Sequence, residues 1–176
     1  MHLRQWIDPQ THEPVDLPAR ALYEPTAVTN PFRAFRLAAV DVVSSPTWAR
    51  MQEILVAARE RHLVTNLVAF FCGSILRESP AATQYALLWM IRNLWSEDGD
   101  GPLACALQDS IYDDMDEHFL SVTLKMDVVA DPQGFLQVED TSVVYSCSND
   151  VPVKEIIAEI ARPAIIIWED VTRTNS

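Results

Sequence analysis

The sequence predicts an α/β domain: a three-layer sandwich on a mostly parallel five-strand sheet ordered 3-2-1-4-5, preceded by an irregular N-terminal arm. Three observations carry this. Short, nearly continuous apolar runs alternate with stretches of helical period from Val64 to Trp168, and strands buried on both faces belong to parallel sheets. Most of these runs end in a polar, turn-like break before a helical stretch, the strand–helix–strand pattern of right-handed crossovers. The start of the chain differs. "IDPQTHEPVDLPARALYEPT" carries Pro9, Pro14, Pro18 and Pro25 with no sustained period, so residues 1–44 are expected to be irregular and to add nothing to the sheet. Residues 45–176 hold the domain.

The elements follow in order. "SPTWARMQEILVAARERH" sets Trp48, Met51, Ile54, Leu55 and Ala58 at helical spacing, with Ser45 as N-cap and Pro46 at the first helical position. "VTNLVAFF" is the first buried strand. Ser79-Pro80 opens a helix whose apolar face is Tyr85, Leu88, Trp89 and Leu94. "SEDGDGP" is a loop and "LACALQ" the second strand. "DDMDEHFLSVTL" reads as a short acidic helix with Met115, Phe119 and Val122 inward, and "MDVVAD" is the third strand. "PQGFLQVED" is a turn with a short strand or excursion, "TSVVYSC" the fourth strand, "PVKEIIAEIA" a helix opened by Pro152, and "AIIIWED" the fifth strand.

The arrangement is Rossmann-like. Ligands of such sheets sit beyond the carboxyl ends of the strands where the winding reverses, here between the first and fourth. Three tips converge there: Cys72-Gly73-Ser74, Gln108-Asp109-Ser110 and Ser146-Cys147-Ser148-Asn149.

Composition narrows the partners. A formal net charge of −12 opposes general binding to nucleic acid or to an anionic membrane surface. A small-molecule ligand, a protein partner or a second copy of the chain stays open. Three cysteines without a CxxC pair argue against a disulfide framework and for a reducing compartment, cytoplasmic or nuclear. "MHLRQWIDPQ" lacks the apolar core of a secretory signal, and no apolar run is long enough to span a bilayer.

"FFCGSI", the helix that carries Gln84, "ALQDSIYDDMDEHFL" and "VVADPQGFLQVEDTSVVYSCSNDVPVKEIIAEIARPAIIIW" resemble the Sensitivity-to-Red-Light-Reduced-like (SRR-like) domain family in its fungal branch, over residues 46–170. The Gln-Asp that ends the second strand and the segment before Pro152-Val153-Lys154 carry most of the likeness. Members are linked to circadian and light signalling, to haem-related regulation and to cytoskeletal phenotypes, so the resemblance implies a regulatory domain and names no reaction. Two departures stand out. Where members commonly show Gly-x-Gly-Ser, this chain has Phe71-Cys72-Gly73-Ser74. The Pro-His-Cys that follows the fourth strand in plant and animal relatives is replaced by Ser146-Cys147-Ser148, so no role of that histidine carries over.

The candidate site is read from the tips. A dinucleotide fingerprint needs three glycines, and only Gly73 is present, so weak or no binding of NAD or NADP is expected. The amides of Gly73 and Ser74 are placed to hold an anion or carboxylate at a helix N-terminus. Asp109 is the candidate catalytic residue as a proton carrier, or else the cap of the helix that follows. Gln108 needs a partner for its amide. Tyr112 is placed at a pocket mouth. Cys72, Gly73, Ser74, Gln108, Tyr112, Ser146, Ser148 and Asn149 are the candidate ligand-binding residues. No histidine is positioned to activate Cys72 or Cys147, which favours buried structural thiols. Asp113, Asp114, Asp116 and Glu117 read as a solvated acidic face and not as metal ligands, and no cofactor is expected.

The leading reading is a small-molecule-binding protein in a regulatory or pathway-accessory role. A cofactor-independent isomerase, cyclase or lyase using Asp109 in the same cleft is the rival. A nucleotide- or S-adenosylmethionine-dependent transferase is third, disfavoured by the missing glycines.

Overall fold

A computed structural model describes residues 6–7, 14–15, 30–77, 79–95, 101–147 and 152–168. The main sheet has five parallel strands: β1 (Asn66–Phe70), β2 (Ala104–Gln108), β3 (Asp127–Val128), β4 (Ser142–Ser146) and β5 (Ile165–Trp168), in spatial order β3-β2-β1-β4-β5. β1 lies between β2 and β4, with Phe70 level with both Gln108 and Ser146. The predicted order and the switch point are therefore both present.

Strand alternation sorts the core into two layers. Leu67, Ala69, Cys105, Leu107, Val143 and Tyr145 face one side, against α2 (Pro46–Arg59) and α3 (Ser79–Leu94). Val68, Phe70, Ala106 and Val144 face the other, against α5 (Gln133–Leu136) and α6 (Val153–Ile160). Phe70 and Phe135 stack there with ring centroids 4.5 Å apart. Side chains such as Leu67, Leu107, Val143 and Ile157 are almost wholly buried, each worth about 1.5–3 kcal/mol relative to exposure.

Helix starts follow local chemistry. The Ser45 hydroxyl accepts from the Trp48 amide at 3.1 Å, and Pro46 occupies the first turn of α2. Arg92 near the end of α3 donates to the carbonyls of Leu103 (2.7 Å) and Leu124 (2.9 Å), tying that helix to the chain entering β2 and β3.

Five expectations are corrected. Residues 31–43, placed in the irregular arm, form helix α1 (Pro31–Val43), capped by Asn30 and packed on α3. Its Phe35, Ala38 and Val42 recur at helical spacing and are buried, a signal obscured by the prolines upstream. Of the rest of the arm, only the pairing of Trp6–Ile7 with Pro14–Val15 is described, as an antiparallel ribbon separate from the main sheet. Trp89 lies at the flank of α3 and is half-exposed, its ring edge-on to Phe35 of α1 at 6.3 Å. Ile54 is exposed on α2, beside Ile166 and Trp168 in an apolar groove along β5. Residues 133–136 are a turn of helix, α5, where a short strand or excursion was expected.

The acidic helix is the fifth. α4 (Asp114–His118) runs directly into a π-helical turn, residues 119–123, where the Leu124 amide reaches back to the Phe119 carbonyl at 3.2 Å. The wider turn carries Val122 away from the buried side of Phe119 and out to solvent. Ahead of it, Asp116, Phe119 and Leu120 are buried at i, i+3 and i+4, which leaves Met115 facing solvent.

Candidate functional site

Three backbone turns leave the sheet at the switch point, and the first is the tightest. Phe71 and Gly73 both have left-handed backbones, φ 57° and 79°. Gly73 takes this without a steric penalty, whereas Phe71 carries about 1–2 kcal/mol of strain. The turn at Phe71 is left-handed although the residue is not glycine. The Phe71 amide donates to the Gln108 carbonyl at 3.0 Å, which extends the β1–β2 ladder into the turn.

Asp109 holds the turn from the neighbouring strand. One carboxylate oxygen accepts the Gly73 amide at 3.0 Å, and the other accepts the Ile111 amide at 3.2 Å. The turn thus presents an amide to an anion, as its sequence implies, but the anion is the chain's own carboxylate. A phosphate there would have to displace Asp109 and meet its charge. Asp109 caps only the local turn. The cap of α4 is Asp113, in a reciprocal capping box with Asp116.

Tyr85 fixes the other side of the turn. Its hydroxyl donates to the Gly73 carbonyl at 2.6 Å and lies 2.9 Å from the Tyr112 hydroxyl. Helical spacing places Tyr85 in the core, and it is fully buried there. The usable signal was chemical: a fully buried tyrosine needs a partner for its hydroxyl. Tyr112 is partly exposed, so the pair runs from the buried turn toward the surface. Burial raises both phenols well above their ordinary range, with added repulsion from the other phenol and Cys72 at Tyr85, and from Cys72 and Asp109 at Tyr112.

Cys72 and Cys147 meet across the tips of β1 and β4. The Cys147 thiol, partly exposed, donates to the buried Cys72 sulfur at 3.4 Å. Burial pushes the Cys72 thiol up, and Cys147 and Asp109 push it further. Among the described residues no group activates it as a nucleophile. Gly73, Asp109, Tyr85, Tyr112, Cys72 and Cys147 therefore form one cluster of hydroxyl, thiol, amide and carboxylate groups.

The other expected ligand-binding residues separate from that cluster. Gln108 shares the strand parity of Ala106 and points to the opposite layer. Its amide nitrogen donates to Asp131 at 2.9 Å, and its oxygen accepts the Gly134 amide at 2.7 Å. Ser146 has the parity of Val144 and is buried on that same side. The single pocket expected from all the tips is divided by the sheet itself. Ser148 and Asn149 lie outside the described residues.

Ser74 is fully buried, and its hydroxyl donates to Asp116 at 3.0 Å. This bond explains why Asp116 leaves the acidic face and links α4 to the turn. Desolvation raises the Asp116 carboxyl above its usual value despite the Ser74 hydrogen bond. A carboxyl raised in the folded state contributes stability below its unfolded pKa and loses it as pH rises through the folded pKa. Asp116→Asn keeps an acceptor for Ser74 and has no charge to bury. The variant should therefore show a smaller loss of stability than the parent as pH rises above the ordinary aspartate range of about 4, read from urea midpoints. Parallel curves for the two proteins would contradict this.

The model of the SRR1 domain family matches residues 44–176. No curated protein matches the chain, and no solved structure does. The matched segment contains the five-strand sheet and all six residues of the cluster, while helix α1 precedes it.

Proposed function

The chain belongs to the SRR1 domain family, and on that premise we propose that it binds a small polar molecule at the tips of β1, β2 and β4 in a regulatory or pathway-accessory role. The observation that carries this reading is the Gly73 turn at the switch point, held by Asp109 and Tyr85 at 3.0 and 2.6 Å. It lies where parallel sheets of this winding hold ligands. Asp109, Tyr112 and Cys147 are its partly exposed members, and the last two supply a hydroxyl and a thiol to a ligand rich in hydrogen-bond donors and acceptors.

Binding fits these groups better than turnover. Both Asp109 oxygens already accept backbone amides, which makes Asp109 a positioning residue and a poor proton carrier. The thiol of Cys72 and both phenols are held protonated by burial, so none of these three offers the ready base or nucleophile that an isomerase or lyase needs. A nucleotide- or S-adenosylmethionine-dependent transferase fits less well, since Asp109 occupies the amide that a phosphate or carboxylate would take.

The test is a thermal-shift screen of the full chain against small polar metabolites bearing hydroxyl, amine and amide groups. A binder present at about one hundred times its Kd stabilises the fold by about 2.7 kcal/mol. Tyr112→Phe and Asp109→Asn should each remove most of that shift. A binder whose shift survives both substitutions unchanged would place the site elsewhere.

A further inference from the structure

The two thiols at the switch point carry an inference beyond ligand binding and independent of it. We propose that Cys72 and Cys147 are a redox modification site, forming a reversible intramolecular disulfide that locks the tips of β1 and β4 when the chain meets a peroxide.

The placement comes from the sheet. β1 and β4 are hydrogen-bonded parallel neighbours, and the Cys147 amide still donates to the Phe70 carbonyl at 3.1 Å just past the last paired residues. The left-handed backbone of Phe71, φ 57°, turns the chain immediately before Cys72, whose sulfur sits 3.4 Å from that of Cys147. Bond formation needs a contraction from there to about 2.05 Å. The third thiol, Cys105, is buried within β2, and burial pushes it up to about 12.

The two sulfurs divide the chemistry by access. Cys147 is partly exposed and Cys72 is buried, so the Cys147 sulfur meets the oxidant. Its sulfur–oxygen bond forms as the peroxide oxygen–oxygen bond breaks. With hydrogen peroxide, one water leaves and a sulfenic acid remains. The Cys72 sulfur, held 3.4 Å away, then bonds to the Cys147 sulfur as its proton passes to the departing hydroxyl, so the contact and not a free Cys72 thiolate drives the step. The sulfur–sulfur bond forms, the sulfur–oxygen bond breaks, and the hydroxyl departs with the Cys72 proton as a second water. Each sulfur loses one electron, and one peroxide becomes two waters. A dithiol reductant reverses the change by exchange.

The experiment treats the full chain with hydrogen peroxide, then alkylates the remaining thiols with N-ethylmaleimide in denaturant and weighs the product. The reduced chain should take three labels, one for each of its 3 cysteines. The oxidised chain should take one, at Cys105, and yield a linked peptide joining Cys72 to Cys147. Dithiothreitol should restore all three labels. Cys105→Ala should still form the link, and Cys147→Ser, at a partly exposed position, should abolish it without depending on a change in the buried core. Full labelling after peroxide would overturn the proposal. So would oxidation of Cys147 alone to sulfinic or sulfonic acid with Cys72 still free, or disulfides formed only between chains.

Discussion

Gly134→Ala should destabilise the domain by about 1–3 kcal/mol, although alanine is otherwise the better helix residue by about 1 kcal/mol. The cause is the close approach of α5 to the end of β2. A Cβ at Gly134 would sit 2.7 Å from the Gln108 side-chain oxygen, 2.9 Å from the Gln108 Cβ and 3.1 Å from the Phe70 ring. Gln108 cannot step aside cheaply. Its oxygen accepts the Gly134 amide and its nitrogen binds Asp131, while Phe70 is stacked on Phe135. The loss is read by urea denaturation. Adding Gln108→Ala removes the oxygen at 2.7 Å but keeps the Cβ at 2.9 Å, so the double variant should be less unstable than the sum of the two single changes by part of the clash. Simple additivity would mean that the Gln108 side-chain oxygen is not what resists the methyl.

Tyr85→Phe should cost about 1–3 kcal/mol, the loss associated with leaving a buried polar group unpaired. The ring stays, so packing changes little. What disappears is the donor to the Gly73 carbonyl and the neighbour of the Tyr112 hydroxyl. Tyr112→Phe should cost less, since Tyr112 is nearer solvent and Tyr85 keeps its bond to Gly73. The ordering of the two midpoints is the diagnostic result. Equal losses would show that the hydroxyl pair, and not the grip on Gly73, supplies the stability.

The sheet was legible because buried strands and helices of adequate length alternate, and because topology rules leave few ways to wind them. The switch point followed, and with it the meeting of Cys72 with Cys147 and of Gly73 with Asp109. The site was less legible for two reasons. Convergence of the tips does not by itself assign a face, and strand parity sets Gln108 with Ala106 and Ser146 with Val144, both toward the second layer. Long-range polar bonds were the other difficulty. Nothing local says that Ser74 will draw Asp116 inward, or that Tyr85 will reach Gly73 across 12 positions of sequence. A π-helical turn at residues 119–123 also breaks the 3.6-residue period on which the inward set of the acidic helix was based. Helix α1 opens with Pro31 in its first turn behind the Asn30 cap, a start hidden by Pro9, Pro14, Pro18 and Pro25 upstream.

The central claim is that the Gly73 turn is where this domain takes its ligand. Amide-resolved NMR of the full chain, titrated with the metabolites that raise its melting temperature, tests it most directly. The account predicts saturable shifts concentrated at Gly73, Ser74, Asp109, Ile111, Tyr112 and Cys147, lost in Asp109→Asn. A pocket of about 700 Å³ at the opposite end of the sheet, between Leu63, Thr65, Trp95 and Gly101, provides the contrast. Shifts gathered around those residues, with the Gly73 turn silent, would contradict the account.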